Sequence, residues 1–122
     1  MRKKFDLRSQ TSLYNIKLTI EYDGKNYFGW QRQKNKPSIQ NTIEKSLQIL
    51  FPEEKIKLTG AGRTDAEVHA LNQIANFKIS KDIFDKLTLK KFVYSLNSIL
   101  PDDIAVKKAY KVSLDFHSRY SA

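Results

Sequence analysis

The run Gly60-Ala61-Gly62-Arg63-Thr64-Asp65-Ala66-Glu67-Val68-His69-Ala70 sets two glycines, an arginine, an aspartate and a histidine between two apolar stretches. A carboxylate two residues after a guanidinium can be held ionised by that cation. An ionised, oriented Asp65 has the chemistry of a nucleophile or a general base. Loops at the ends of rigid strands are where such groups are positioned accurately. From spacing alone, the more ordinary explanation is an Asx-turn aspartate with a surface ion pair to Arg63. Gly60-x-Gly62 is not a phosphate loop, because no third glycine and no Gly-Lys-Ser/Thr follows and the next residues read as strand. His69 and His117 are the only histidines, with no ligand cluster near either in sequence, and there is no cysteine and no Ser-His pairing signature, so the pattern points to neither a metal site nor an acyl-transfer triad. His69 reads as a residue that orders the loop.

A second constellation is Tyr22-Asp23-Gly24-Lys25-Asn26-Tyr27-Phe28-Gly29-Trp30-Gln31-Arg32-Gln33. Aromatic faces stack on bases while amides, Arg and Lys meet base edges and phosphates. Trp30 and Phe28 are also what a core would contain, and for Trp30 the core is the better reading. Arg32, Lys34 and Lys36 are harder to bury and are candidate phosphate contacts, with Gln31 beside them.

The elements that must carry these groups follow from periodicity. Residues 1–13 show none and read as a basic N-terminal arm. Ile16, Leu18, Ile20 and Tyr22 alternate with polar residues as in a half-buried strand, which Asp23-Gly24 ends. Ser38 is a candidate N-cap for a helix striped by Ile39, Ile43, Leu47 and Leu50 and closed by Pro52. Ile56 to Thr59 reads as a short strand and Leu71 to Ile79 as a longer one. Leu89, Phe92, Val93, Leu96 and Leu100 stripe a second helix ended by Pro101, and Ile104 to Val112 is the last strand. The order β-α-β-β-α-β predicts an α+β fold, an antiparallel sheet with two helices on one face, of the ferredoxin-like kind.

The 122 residues suit one domain, and 40% hydrophobic residues supply one core. No apolar run reaches membrane-spanning length, and the first residues lack a signal peptide's apolar stretch. Zero cysteine fits a cytosolic protein. Lys and Arg number 22 against 13 acids, a net of +9. Residues 1–36 hold nine of those bases and three of the acids. So uneven an excess points to a polyanion such as nucleic acid, although a lysine-rich solvated surface has the same composition.

These residues carry a family resemblance. Tyr22-Asp23-Gly24 with Gly29-Trp30-Gln31-Arg32-Gln33, and Gly60-Ala61-Gly62-Arg63-Thr64-Asp65 with Val68-His69-Ala70, resemble motifs of the tRNA pseudouridine synthase A family. So do Leu96-Asn97 with Leu100-Pro101 and Asp103-Ile104, and Phe116-His117-Ser118-Arg119-Tyr120-Ser121-Ala122. The four come in the family's order and span nearly the whole chain after residue 13. The resemblance implies isomerisation of uridine to pseudouridine in the anticodon stem and loop of tRNA, without cofactor or metal, by a cytoplasmic homodimer. It makes residues 14–122 the catalytic-aspartate half of the pseudouridine synthase fold. Asp65 matches the family's essential aspartate. Arg63 matches the arginine that pairs with it and enters the space left by the flipped base. Gln31, Arg32, Lys34, Lys36, His69 and Arg119 then become expected RNA contacts.

Two departures accompany the match. Glu67 stands where the family usually has glycine; if that position needs φ > 0, the side chain is strained by roughly 1 kcal/mol. The family also has a second, similar half with a base-stacking tyrosine just past the Phe-His-x-Arg motif, so the chain reads as an N-terminal half. The rival from another class is a non-catalytic RRM-like RNA-binding module, although the Arg/Lys-Gly-Phe-Gly-Phe run of that module is absent from the last two strands. A basic scaffold domain in a larger complex is a third reading.

Overall fold

The computed structural model describes residues 12–23, 38–60 and 70–118. Alternation in the first strand does what it predicts. In β1 (Leu13–Tyr22), Ile16, Leu18, Ile20 and Tyr22 are buried and Glu21 is exposed. The strand begins at Leu13, the last residue assigned from sequence to the basic arm; residues 1–11 lie outside the described residues.

Helix α1 (Ile39–Leu50) starts where its cap says it should. Ser38 Oγ accepts from the Asn41 N–H at 3.1 Å, satisfying one of the N-terminal donors that a helix leaves without a partner. Ile39, Ile43 and Leu47 recur at helical spacing and are fully buried. The helix stops at the Phe51 cap, one residue before Pro52.

The next strand is shorter and later than its sequence suggests. β2 is only Thr59–Gly60, although the apolar alternation begins at Ile56. Ile56 and Leu58 are buried. The backbone of Leu58, however, is satisfied by helix side chains instead of a ladder. Its N–H donates to Glu44 Oε2 at 2.8 Å, and its carbonyl accepts from Gln40 Nε2 at 2.8 Å. With both groups occupied, no strand partner is needed.

β3 (Ala70–Ser80) is followed by a four-residue helix, α2 (Lys81–Phe84), which periodicity over so short a span cannot reveal. It drives Phe84 into the core, edge-on to Phe92 with ring centroids 5.1 Å apart. Helix α3 (Leu89–Ile99) is capped by Thr88, whose hydroxyl accepts from the Lys91 N–H at 3.1 Å, and ends just before Pro101. β4 (Ile104–Val112) closes the domain as expected.

The sheet order is β2-β3-β1-β4, with every pair antiparallel, the ferredoxin-like arrangement. The helices pack on one face, where Phe77, Phe84, Phe92 and the inward residues of β1 form a continuous core. A bulge places Lys107 as the extra residue: Ile20 pairs with Val106 but Thr19 pairs with Lys108. Its effect is to turn Lys108 and Tyr110 to the face away from the helices. No helix of the described residues is long and apolar enough to cross a membrane.

Candidate functional site

The face of the sheet away from the helices is crossed by the segment that leads into the last sequence motif. Cross-strand register puts Thr59, Asn76, Lys17 and Tyr110 in one row there. The next row holds Lys78, Asn15 and Val112. The segment after β4 folds back over this surface. Lys17 Nζ lies 5.8 Å from the Tyr110 ring centre and 5.7 Å from that of Phe116, a cation between two aromatic faces.

A buried chain of amides fixes that crossing. Asn15 Nδ2 donates to the carbonyls of Ser113 and Phe116, both at 2.9 Å. An amide nitrogen can only donate, so the Asn15 oxygen must face the other way. There it accepts from Asn76 Nδ2 at 3.0 Å. The Asn76 oxygen in turn accepts from the Ser118 N–H at 3.0 Å, and Ser118 Oγ donates to the Thr59 carbonyl at 2.8 Å. Asn15, Asn76 and Ser118 are all almost wholly buried. Among the described residues no buried side-chain nitrogen or oxygen lacks a partner, so the chain is completely satisfied.

Each sequence motif is therefore tied to this sheet at a described anchor. The segment with Trp30, Gln31 and Arg32 leaves from Tyr22 and Asp23. Tyr22 pairs with Ala70 on one side and Ile104 on the other, and the Asp23 N–H donates to the Asp103 carbonyl at 2.9 Å. The Arg63–Asp65 loop runs from Gly60, paired with Ala75, to Ala70. Asn97 binds both backbone groups of Val106, accepting at 2.8 Å and donating at 3.0 Å, and so pins α3 to β4. Ser118 holds the last motif against Thr59, next to the residue that launches the loop.

Asp65, Arg63, Gln31, Arg32, Lys34, Lys36, His69 and Arg119 lie outside the described residues, as does Glu67. The described structure supplies their mountings: both ends of the Asp65 loop, the strand end from which residues 24–37 depart, and the serine preceding Arg119. Sequence reasoning missed Asn15 and Asn76. The signal was present as an asparagine on each of two strongly apolar strands, but strand polarity alone does not tell a solvated amide from a buried one. Among the described residues, no group of three or more His, Asp or Glu side chains is placed to hold a metal.

Comparison with known proteins agrees with this frame. The family model described as tRNA pseudouridine synthase matches residues 18–121. A tRNA pseudouridine synthase A of Caldicellulosiruptor bescii is 56% identical over 108 residues, covering 88% of this chain and 42% of the relative. That of Acetivibrio thermocellus is 51% identical over 108 residues, with the same coverage of 88% and 42%. That of Thermodesulfovibrio yellowstonii is 50% identical over 113 residues, covering 89% of this chain and 41% of the relative. The chain thus spans about two fifths of the length of these curated relatives. With the matched segment running from within β1 to beyond Ser118, the chain belongs to the tRNA pseudouridine synthase family.

Proposed function

We propose that this chain is the catalytic-aspartate part of an enzyme that converts uridine to pseudouridine in the anticodon stem and loop of tRNA. The observation that carries the reading is the family match across residues 18–121, which includes the whole Gly60–Ala70 loop. Pseudouridine formation breaks the bond from C1′ to N1 and makes one from C1′ to C5, while a proton leaves C5 and one arrives at N1. The reaction is redox-neutral and needs a nucleophile or base, a way to expose the uridine, and a grip on the RNA.

In this proposal Asp65 is the nucleophile or base, acting at C1′, at C6 or on a sugar proton. A uridine inside a stem must leave the stack, at a cost of a few kcal/mol. Arg63 occupies the vacated space and keeps Asp65 ionised. Gln31, Arg32, Lys34, Lys36, His69 and Arg119 hold the RNA, and the remainder of the family's length completes the pocket around the flipped base. The working enzyme is a cytoplasmic homodimer. It takes tRNA as its partner and uses neither cofactor nor metal.

The sheet face away from the helices argues against the RRM-like alternative. RRM modules stack bases on aromatics of the central strands. Here the outward residues of β1 are Asn15, Lys17, Thr19 and Glu21, and those of β3 from residue 72 on are Asn72, Ile74, Asn76 and Lys78. The test is direct. The chain is fused to the C-terminal portion of one of the relatives above and incubated with an unmodified tRNA transcript, and pseudouridine is mapped by chemical probing. Modification within the anticodon stem and loop is expected. Tight binding without modification would favour the non-catalytic module.

A further inference from the structure

A pocket of about 430 Å³ opens at the β2 edge of the sheet face away from the helices, beside the crossing segment. One wall is the stretch from Lys55 to Thr59, and the other is the crossing segment from Leu114 to His117. Lys55, Lys57 and Lys78 line it, and all three are exposed. The one acid in its lining is Asp115. Among the described residues, no ion pair joins any of these lysines to an acid. The lining residues from Lys55 to Thr59 precede Gly60, the last described residue before the Asp65 segment.

We propose that this pocket is a second grip on the RNA, taking phosphodiester groups of the strand that flanks the target uridine. The proposal rests on the RNA-modifying role given above. Three lysines lining one concavity raise the local positive potential and attract an anion. The volume falls within the range of small-ligand sites, enough for a phosphate with its sugar. An extended polyanion suits it better than a free phosphate. The lysines are exposed point charges without a fork geometry, and such contacts gain their strength by releasing counterions from a continuous backbone. The pocket's floor is also rigid, because Asn76 is locked by Asn15 and Ser118.

The test measures binding of the fused enzyme described above to an unmodified tRNA transcript across a range of salt concentrations. Lys55, Lys57 and Lys78 are changed together to Gln in one variant, and Lys86, Lys90 and Lys91 of the helix layer in another. Both sets remove the same charge from exposed positions. The pocket variant should lower the slope of log affinity against log salt by about 2.1–2.7, from about 0.7–0.9 per lost phosphate contact, while the helix-layer variant leaves it unchanged. A single Lys78→Gln change should lower it by about 0.7–0.9 and serves if the triple variant does not fold. Equal losses in the two sets, or an undiminished slope in the pocket variant, would overturn the site while leaving RNA binding intact. Saturation of the pocket by inorganic phosphate with no change in the RNA slope would overturn it as well. Absence of tRNA binding by the unsubstituted fused enzyme would overturn the RNA-modifying reading together with the site.

Discussion

Replacing Asn76 by Ala should be among the most damaging single changes outside the apolar core. The side chain spends both its polar atoms on buried partners, Asn15 Oδ1 and the Ser118 N–H, each at 3.0 Å. Truncation leaves an acceptor and a donor without partners in a site closed to water. Each stranded group costs about 1–3 kcal/mol, so a loss of about 3 kcal/mol is expected, taking about 1.5 for each. For a small domain whose urea dependence is about 1.5 kcal/mol per molar, the unfolding midpoint should fall by about 2 M. Asn76→Asp is the informative companion. It keeps an acceptor for the Ser118 N–H but sets an oxygen against Asn15 Oδ1 and buries a charge, so it should not rescue the loss. Hydrogen exchange localises the effect: the Ser118 amide should be protected in the parent and exposed in the Ala variant. A midpoint within about 0.3 M of the parent, with Ser118 still protected, would refute the buried amide chain as the fastener of the crossing segment.

Glu44→Ala should cost about 1–3 kcal/mol in a urea melt because it strands the buried Leu58 N–H, while Glu44→Gln keeps an acceptor and should cost clearly less. Phe92→Ala should cost about 3–5 kcal/mol, since that ring contacts Phe51, Phe77 and Phe84 and is fully buried; a loss under about 1 kcal/mol would mean the aromatic cluster is not packed in solution. In the fused enzyme, Arg63→Lys should lower the rate of pseudouridine formation more than tRNA affinity. An ammonium can neither fork nor stack as a guanidinium does, and in the proposed enzyme phosphate contacts elsewhere would hold the RNA. Equal kinetics and affinity for the two residues would remove the base-displacing role.

How far the fold can be read in the sequence depends on where each element finds its partners. β1, α1, α3 and β4 announce themselves because their periodicity and caps are local: Ser38 and Ile39 to Leu47 suffice for α1, and the span from Ile104 to Val112 is the same in sequence pattern and structure. β2 is displaced from its expected place because its boundary is set by tertiary contacts. Leu58 looks like strand in sequence, yet Gln40 and Glu44 take its backbone groups from a helix many residues earlier. α2 is invisible in sequence because four residues are barely one helical turn, and its stability comes from Phe84 in the core. The site motifs are legible as residue types at fixed spacings. The amides beneath them are not, because Asn15, Asn76 and Ser118 become one object only when three strands and a return segment converge.

The central claim is that the Gly60–Ala70 loop carries the reacting carboxylate, and Asp65→Asn tests it most directly. In the fused enzyme, pseudouridine formation in the anticodon stem and loop of an unmodified tRNA transcript is followed for the parent and the variant at equal, saturating protein. Asparagine keeps the size and much of the hydrogen bonding but removes the charge and the nucleophile. The expected result is loss of detectable pseudouridine with tRNA affinity and melting temperature close to the parent's. Turnover near the parent's rate in the Asp65→Asn variant would contradict the assignment and leave Asp65 as an ordinary turn residue.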